Sequence, residues 1–279
     1  MVTCPQCQSD DLDLVEKGAG DRRHIRCNAC THSWWRGEDK QPAPKQRDTI
    51  DAQRTAFHTA HTLTPARRQS VETLKGQFIA DHPVPQPEVA EYWARYQQIF
   101  SAEGLQHCDP RALKDFANTE TGAHPGNMSV FNTAWNELGD DEAVQRTRGV
   151  IGYLLYGPDH VPLEDRLTHL IEGPHALEMR GFKEALLTKV LCIVQPDRFL
   201  PILIYSSPNG GGKREIANRV FGLELPPRDR TRWPIGRLIT WSNDVLVDHA
   251  GPGFEKLQHV SSFLWWAKDQ AASGSKVLS

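Results

Sequence analysis

Four of the six cysteines fall in two Cys-x-x-Cys pairs, "CPQC" at 4–7 and "CNAC" at 27–30, with nineteen residues between the pairs. Two short knuckles joined by a loop of that length bring the thiolates of Cys4, Cys7, Cys27 and Cys30 to one tetrahedral zinc ion. The small and polar residues inside each pair suit the tight turn that points both sulfurs the same way. A thioredoxin-like redox pair needs a βαβ setting, and no such pattern surrounds either pair. Cys108 and Cys192 stand alone, and Cys192 sits in an apolar helical run that reads as core.

Arginines and tryptophans accompany the second pair: Arg22, Arg23, Arg26, then Trp34, Trp35 and Arg36. Strand alternation puts Trp34 and Trp35 on opposite faces. One ring then covers the small core beside the metal. The other is exposed among arginines, where it suits stacking on a base with phosphate contact. The competing expectations are that both rings shield the metal, or that the outer one docks on another part of the protein.

Other stretches fail as catalytic signatures. "SSPNGGGKRE" (206–215) suggests a phosphate loop, but Gly212-Lys213 is followed by Arg214 where Ser or Thr must bind magnesium. What remains is a loop whose amides, with Lys213 and Arg214, meet a phosphate, or a plain solvated loop. Pro-Asp occurs at 158–159 and 196–197, yet no Asp/Glu-x-Lys follows to complete a magnesium nuclease. "MRGFKE" hints at a helix-hairpin-helix turn in which Gly181 and Lys183 touch phosphate. Only one of the two glycines of that turn is present, so an ordinary helix–helix turn competes. "FLPILIYSS" lacks the carboxylate a glycosylase would place there. We therefore expect binding without catalysis.

Local charge is more informative than the total. The chain of 279 residues has a net charge of −3, yet Tyr205–Arg237 holds seven basic against three acidic side chains. Arg228, Arg230 and Arg232, next to Trp233, suit a nucleic-acid backbone, unless acids elsewhere pair with them. The composition is that of an ordinary globular protein. No apolar run approaches a membrane span and the first residues carry no secretion leader, so the expected compartment is a reducing cytoplasm.

The elements that must position these residues are a small β module and a run of helices. "LDLVEKGAGDRRHIRC" reads as strand, turn at Gly18 and Gly20, and strand, and "THSWWRGE" supplies a third strand. The expected organisation is a ribbon over 1–38, a linker over 39–50 ("EDKQPAPKQRD" at its centre), and an all-α domain over 51–279 with its core at about 88–268. Val89, Tyr92, Trp93, Tyr96 and Phe100 form one helical stripe, with Gly104 as the expected stop. Asp109-Pro110 reads as a helix start. Two later helices end at glycine, and "GFKEALLTKVLCIVQPDRF" carries a core stripe with Lys183 and Lys189 projecting elsewhere. The C-terminal Phe263, Trp265 and Trp266 lie on a further helix, most of their rings expected in the core.

The module at 1–38 resembles the zinc ribbon family, whose members bind DNA, RNA or other proteins. "FNTAWNELGD", "LLYG", "EDRLTHLIEG", "RGFKEALLTKVLCIVQPDRFLPI" and "SSFLWWAKD", in that order over 108–268, resemble the helical region upstream of the AAA+ motor in McrB-like restriction and defence proteins. This resemblance implies a bacterial DNA-recognition or adaptor protein. The alternative is a scaffold that docks a motor or nuclease subunit. These residues carry no AAA+ motor, so nucleotide-driven translocation is not expected of them, and a fragment and a stand-alone adaptor remain equally open.

Overall fold

The structure, a computed structural model, describes residues 2–18, 21–37, 49–82, 87–176 and 178–274. The expected linker lies almost entirely outside them, as does Gly20 of the first turn. The chain divides into two compact units, Met1–Gln53 and Arg54–Ser279. It is mainly α-helical, with a small antiparallel sheet at the N-terminus.

The sheet contains β1 (Leu12–Lys17), β2 (Arg23–Cys27) and β3 (Ser33–Arg36), in that spatial order. A bulge interrupts β1: Leu14 pairs with Ile25, but the next partner of β2, His24, faces Glu16. Leu12 and Leu14 therefore share a face with Ile25 and Trp34, while Glu16 joins the face of His24 and Trp35. Asn28 ties the second knuckle to the head of β1 by donating its amide to the Asp11 carbonyl and its carboxamide to the Asp11 carboxylate, both at 3.0 Å.

In the second unit the helices follow their start signals. Thr64 accepts the Arg67 amide to cap α2 (Pro65–Asp81), which follows α1 (Ile50–Ala60). The apolar stripe of α3 (Pro87–Ile99) is buried as expected at Val89, Trp93 and Tyr96. The helix does not run to Gly104. It ends at Ile99, and Ser101 caps a new short helix, α4 (Ala102–His107), that contains Gly104. A side chain at Gly104 would collide with the Gln98 carbonyl, so this glycine permits a sharp corner and does not end a helix. Asp109 caps α5 (Pro110–Asn118). Gly139 and Gly157 end α6 (Ser129–Leu138) and α7 (Asp140–Tyr156).

α9 (Glu184–Val194), which follows α8 (Leu163–Ile171), is enclosed on every side: each residue from Leu186 to Ile193 is buried. This overturns the expectation for Lys189, which is 1% exposed. Its ammonium donates to the carbonyls of Phe116 and Thr119, at the end of α5. Lysines there can satisfy carbonyls that have no helical partner. Lys75 does the same for Ala250, at the end of α11 (Ile235–Ala250), at 3.2 Å. α11 presses on α8 so closely that a side chain at Gly236 would strike the Glu164 carbonyl, while its amide donates to Thr168 Oγ1 at 3.1 Å. A four-residue helix α10 (Lys213–Ile216), a π-helical turn (Ala217–Phe221) and α12 (Leu257–Gly274) complete the unit. No helix among the described residues is long and apolar enough to cross a membrane.

Two outcomes follow. Gly236→Ala, which overpacks the α8–α11 contact, is expected to cost at least about 1–3 kcal/mol in urea unfolding, and an unchanged midpoint would contradict that contact. Burial pulls the Lys189 ammonium down to about 8 from its ordinary 10.5. The folded state then binds fewer protons than the unfolded one between those values, so this site's contribution to stability rises with pH across that window and is flat below it. The stability of the native chain relative to Lys189→Met should therefore improve from neutral pH to about pH 10. A pH-independent difference would show that the ammonium is not desolvated.

Candidate metal centre and nucleic-acid interface

The two knuckles are built alike. The Cys4 amide donates to the Ser9 carbonyl and the Cys27 amide to the His32 carbonyl, both at 2.8 Å. The residue after each second cysteine, Gln8 and Thr31, takes a left-handed backbone with φ of 61° and 59°. This turn aims the sulfurs of Cys4, Cys7, Cys27 and Cys30 at one point, with all four ligand atoms within 4.8 Å of one another. Cys4 and Cys30 sulfurs are 3.6 Å apart, and those of Cys7 and Cys27 are 3.5 Å apart. These separations are far too long for disulfides. They match the edge of a tetrahedron with metal–sulfur bonds of about 2.3 Å, roughly 3.8 Å. The donor set therefore fits a tetrahedral metal ion.

The thiols also need a cation. Burial opposes charge on Cys4, but the amides of Cys7 and Gln6 and the adjacent thiols outweigh it and bring Cys4 down to about 7. At Cys30 the His32 amide favours the thiolate, yet burial and the other three sulfurs push it up to about 12. Four thiolates this close repel one another unless a metal ion neutralises them. Metal loading must therefore release protons, and acid must release the metal.

The same sheet settles where the adjacent tryptophans point. Trp34 is half-buried and lies parallel to His32, with ring centroids 5.7 Å apart. Trp35 is 40% exposed and lies parallel to His24 at 4.8 Å. The Arg22 guanidinium sits 4.8 Å from the Trp35 ring centre. A side chain at Gly18 would come within 2.9 Å of the Trp35 ring, so the hairpin turn makes room for the indole. Arg26 shares the face of His24 and Trp35, and Arg23 stands directly opposite Arg36 across the strands. Like charges in that register repel. Of the ribbon's acids among the described residues, Asp10, Asp11, Asp13 and Glu16 lie on or before β1 and Asp21 lies in the turn beside Arg22, while Arg23, Arg26 and Arg36 lie on β2 and β3. The two histidines were not singled out as site residues in the sequence. Their signal was their cross-strand or two-residue spacing from the tryptophans.

The helical unit treats its expected contacts differently. Gly181 has φ of +86° and packs on the Phe131 backbone, so the turn serves helix packing. The Lys183 ammonium turns inward to the carbonyls of Ile171 and Ala176 at the end of α8, and burial lowers its pKa. In the Gly-rich loop the position of an anion is taken by the protein's own Glu215, whose carboxylate accepts the amides of Ser207 at 2.8 Å and Gly212 at 3.2 Å. Lys213 is fully buried, donates to the Ile202 carbonyl and is pulled by burial down to about 8. Phosphate contact by Lys213 is thereby corrected, because its ammonium is enclosed; Gly181 and Lys183 are half-buried and engaged in the helix–helix turn and in backbone carbonyls.

Arg214 donates Nε to the Leu225 carbonyl at 3.0 Å. Arg228 pairs with Glu172, a carboxylate whose side chain is only 6% exposed, and Arg230 approaches the same oxygen at 3.8 Å. Arg232 is exposed, its guanidinium 5.8 Å from the Trp233 ring. That ring meets Phe57 of α1 edge-on. The local excess of arginine is thus partly neutralised inside the fold, while on the ribbon Arg22 and Arg26 accompany the exposed Trp35 ring.

No protein-family model matches the chain, and no curated protein or solved structure is similar to it. The geometry alone carries the assignment of a metal centre. Loading the full chain with cobalt as a reporter ion should give a tetrahedral thiolate-to-metal absorption band with one ion per chain. Cys27→Ser should abolish it, and Cys108→Ser and Cys192→Ser should leave it intact. Undiminished loading of Cys27→Ser would contradict the four-sulfur site.

Proposed function

We propose that this protein reads nucleic acid, DNA in the first instance, without catalysis of its own, as a recognition or adaptor module of a McrB-like bacterial restriction or defence system. The metal is zinc, which suits four thiolates in a closed tetrahedral site and serves structure. The setting is a reducing cytoplasm, where the thiols stay available to the metal.

One observation carries the reading: Trp35, exposed, lies parallel to His24 with Arg22 against its ring, on a sheet face that also carries Arg26, with Arg23 and Arg36 on the opposite face. A base stacks on an indole whatever its sequence, and arginines beside it meet the flanking phosphates. In this reading the helical unit contributes Arg230 and Arg232 as outlying contacts. A partner motor or nuclease supplies the work that follows recognition.

A second reading rests on a separate observation. Leu14 and Val15 of β1 are 51% and 55% exposed, an apolar edge suited to docking a motor or nuclease subunit. Binding of single-stranded, duplex and base-modified DNA at two salt concentrations separates the two. The first reading expects salt-sensitive binding that Trp35→Ala weakens by about 1–3 kcal/mol. Replacing Arg22 and Arg26 with alanine should lower the salt slope by about one per lost phosphate contact. Arg228→Ala together with Arg230→Ala and Arg232→Ala should matter less. Absence of binding to all three DNAs at low salt would overturn the nucleic-acid reading.

A further inference from the structure

The helical unit contains a groove that the metal centre and the ribbon arginines do not explain. It has a volume of about 480 Å³ and lies between α12, the 120–126 loop and the 201–204 segment. That volume falls in the range of small-molecule sites.

α12 has two kinds of buried surface. Val260, Phe263, Leu264 and Ala267 are buried apolar residues of the core. Gln258, Ser261, Ser262 and Trp265 line the groove, and their spacing of three, four and seven residues makes them a single stripe. Gln258 is 8% exposed and Ser261 4%. Among the described residues neither the Gln258 carboxamide nor the Ser261 hydroxyl has a hydrogen-bond partner in the protein. Neither belongs to the buried polar atoms that are closed off from solvent, so both open into the groove. Buried polar groups of this kind need a partner.

Trp265 forms one wall. Its ring is held at one edge by the Gly211 backbone, where an added side chain would approach within 2.8 Å. The Lys268 ammonium sits 4.2 Å from the ring centre and does not line the groove. Leu203, Pro201 and Ala123 add apolar surface. Among the described residues the only charged groups lining the groove are Glu120 and His124, which pair with each other at 3.0 Å; both are well exposed. His124 Nδ1 accepts the Gly126 amide at 2.8 Å, which leaves Nε2 to donate to Glu120. Among the described residues no arginine or lysine lines the groove, so they offer nothing to a phosphate there.

We infer that this groove holds a neutral, planar heterocycle with a hydrogen-bonding edge, a purine or pyrimidine base. The ring stacks on Trp265 and its edge meets the Gln258 carboxamide and the Ser261 hydroxyl. A carboxamide offers a donor and an acceptor side by side, as the edge of a base does. Any sugar and phosphate lie outside. The base belongs either to a free nucleoside or to a nucleic-acid strand.

The test titrates the full zinc-loaded chain with deoxyadenosine, deoxyguanosine, deoxycytidine and thymidine. A second arm uses a short single strand, with and without an abasic site at its centre. Binding is followed by calorimetry and by NMR shifts. Saturable binding of at least one nucleoside is expected, weakened about tenfold or more by Trp265→Ala and by Gln258→Leu, since a base–aromatic stack contributes about 1–3 kcal/mol. Ser262→Trp, at an exposed position, should fill the groove and block binding with the fold retained. Strand binding that is lost with the abasic site and with Trp265→Ala, without nucleoside binding, assigns the base to a strand. Nucleoside binding that Trp35→Ala removes and Trp265→Ala spares would place the base on the ribbon and overturn the inference, so failure at the ribbon and failure at the groove read out separately. No saturation in either arm, or binding that persists in both Trp265→Ala and Ser262→Trp, would overturn the inference.

Discussion

Mutual repulsion among four sulfurs within 4.8 Å is the constraint on which the N-terminal unit depends. Among residues 2–37 that the structure describes, only Cys4 and Cys27 are buried, so the sheet has almost no apolar core of its own. A module this small holds its shape through a metal ion. An ion held by the four sulfurs would fix the knuckles, the knuckles fix the start of β1 and the end of β2, and the strand register sets His24 opposite Trp35. The exposed indole and its arginines therefore owe their placement to the sulfurs.

The helical unit solves the opposite problem. It has an extensive core and uses cations inside it. Lys75, Lys183 and Lys189 each satisfy carbonyls at the end of a helix, and Lys213 holds the Ile202 carbonyl. Glu215 occupies the amides of the Gly-rich loop, and Glu172 gathers Arg228 and Arg230. Charges that look free along the chain are the fasteners of this fold. The seven basic residues of the 205–237 stretch therefore say less about an anionic partner than their number along the chain suggests.

Much of this was legible in the amino-acid order. Paired cysteines announce their own geometry, and Asp109-Pro110, Gly139 and Gly157 mark helix ends by local chemistry that any context preserves. Other features were hidden for physical reasons. Gln8 and Thr31 adopt left-handed backbone without being glycine, so nothing in their type marks the knuckle turn. Gly104 resembles a helix stop, but its role is set by the Gln98 carbonyl it must approach. Lys189 and Lys213 read as surface residues because the carbonyls they serve come from other segments. The neutralisation of Arg228 depends on an acid 56 positions away. Local chemistry could be read along the chain; pairing between distant segments could not.

The proposal joins metal, sheet and surface: an ion would hold the ribbon, and the ribbon would hold nucleic acid. The most direct measurement is the DNA affinity of one preparation of the full chain as purified, after its metal is stripped by a chelator, and after zinc is restored. The account expects affinity to fall on stripping and to return with zinc, while the helical circular-dichroism signal stays in place throughout. Affinity that is unchanged after complete metal removal would contradict it, and would place any nucleic-acid contact outside the ribbon.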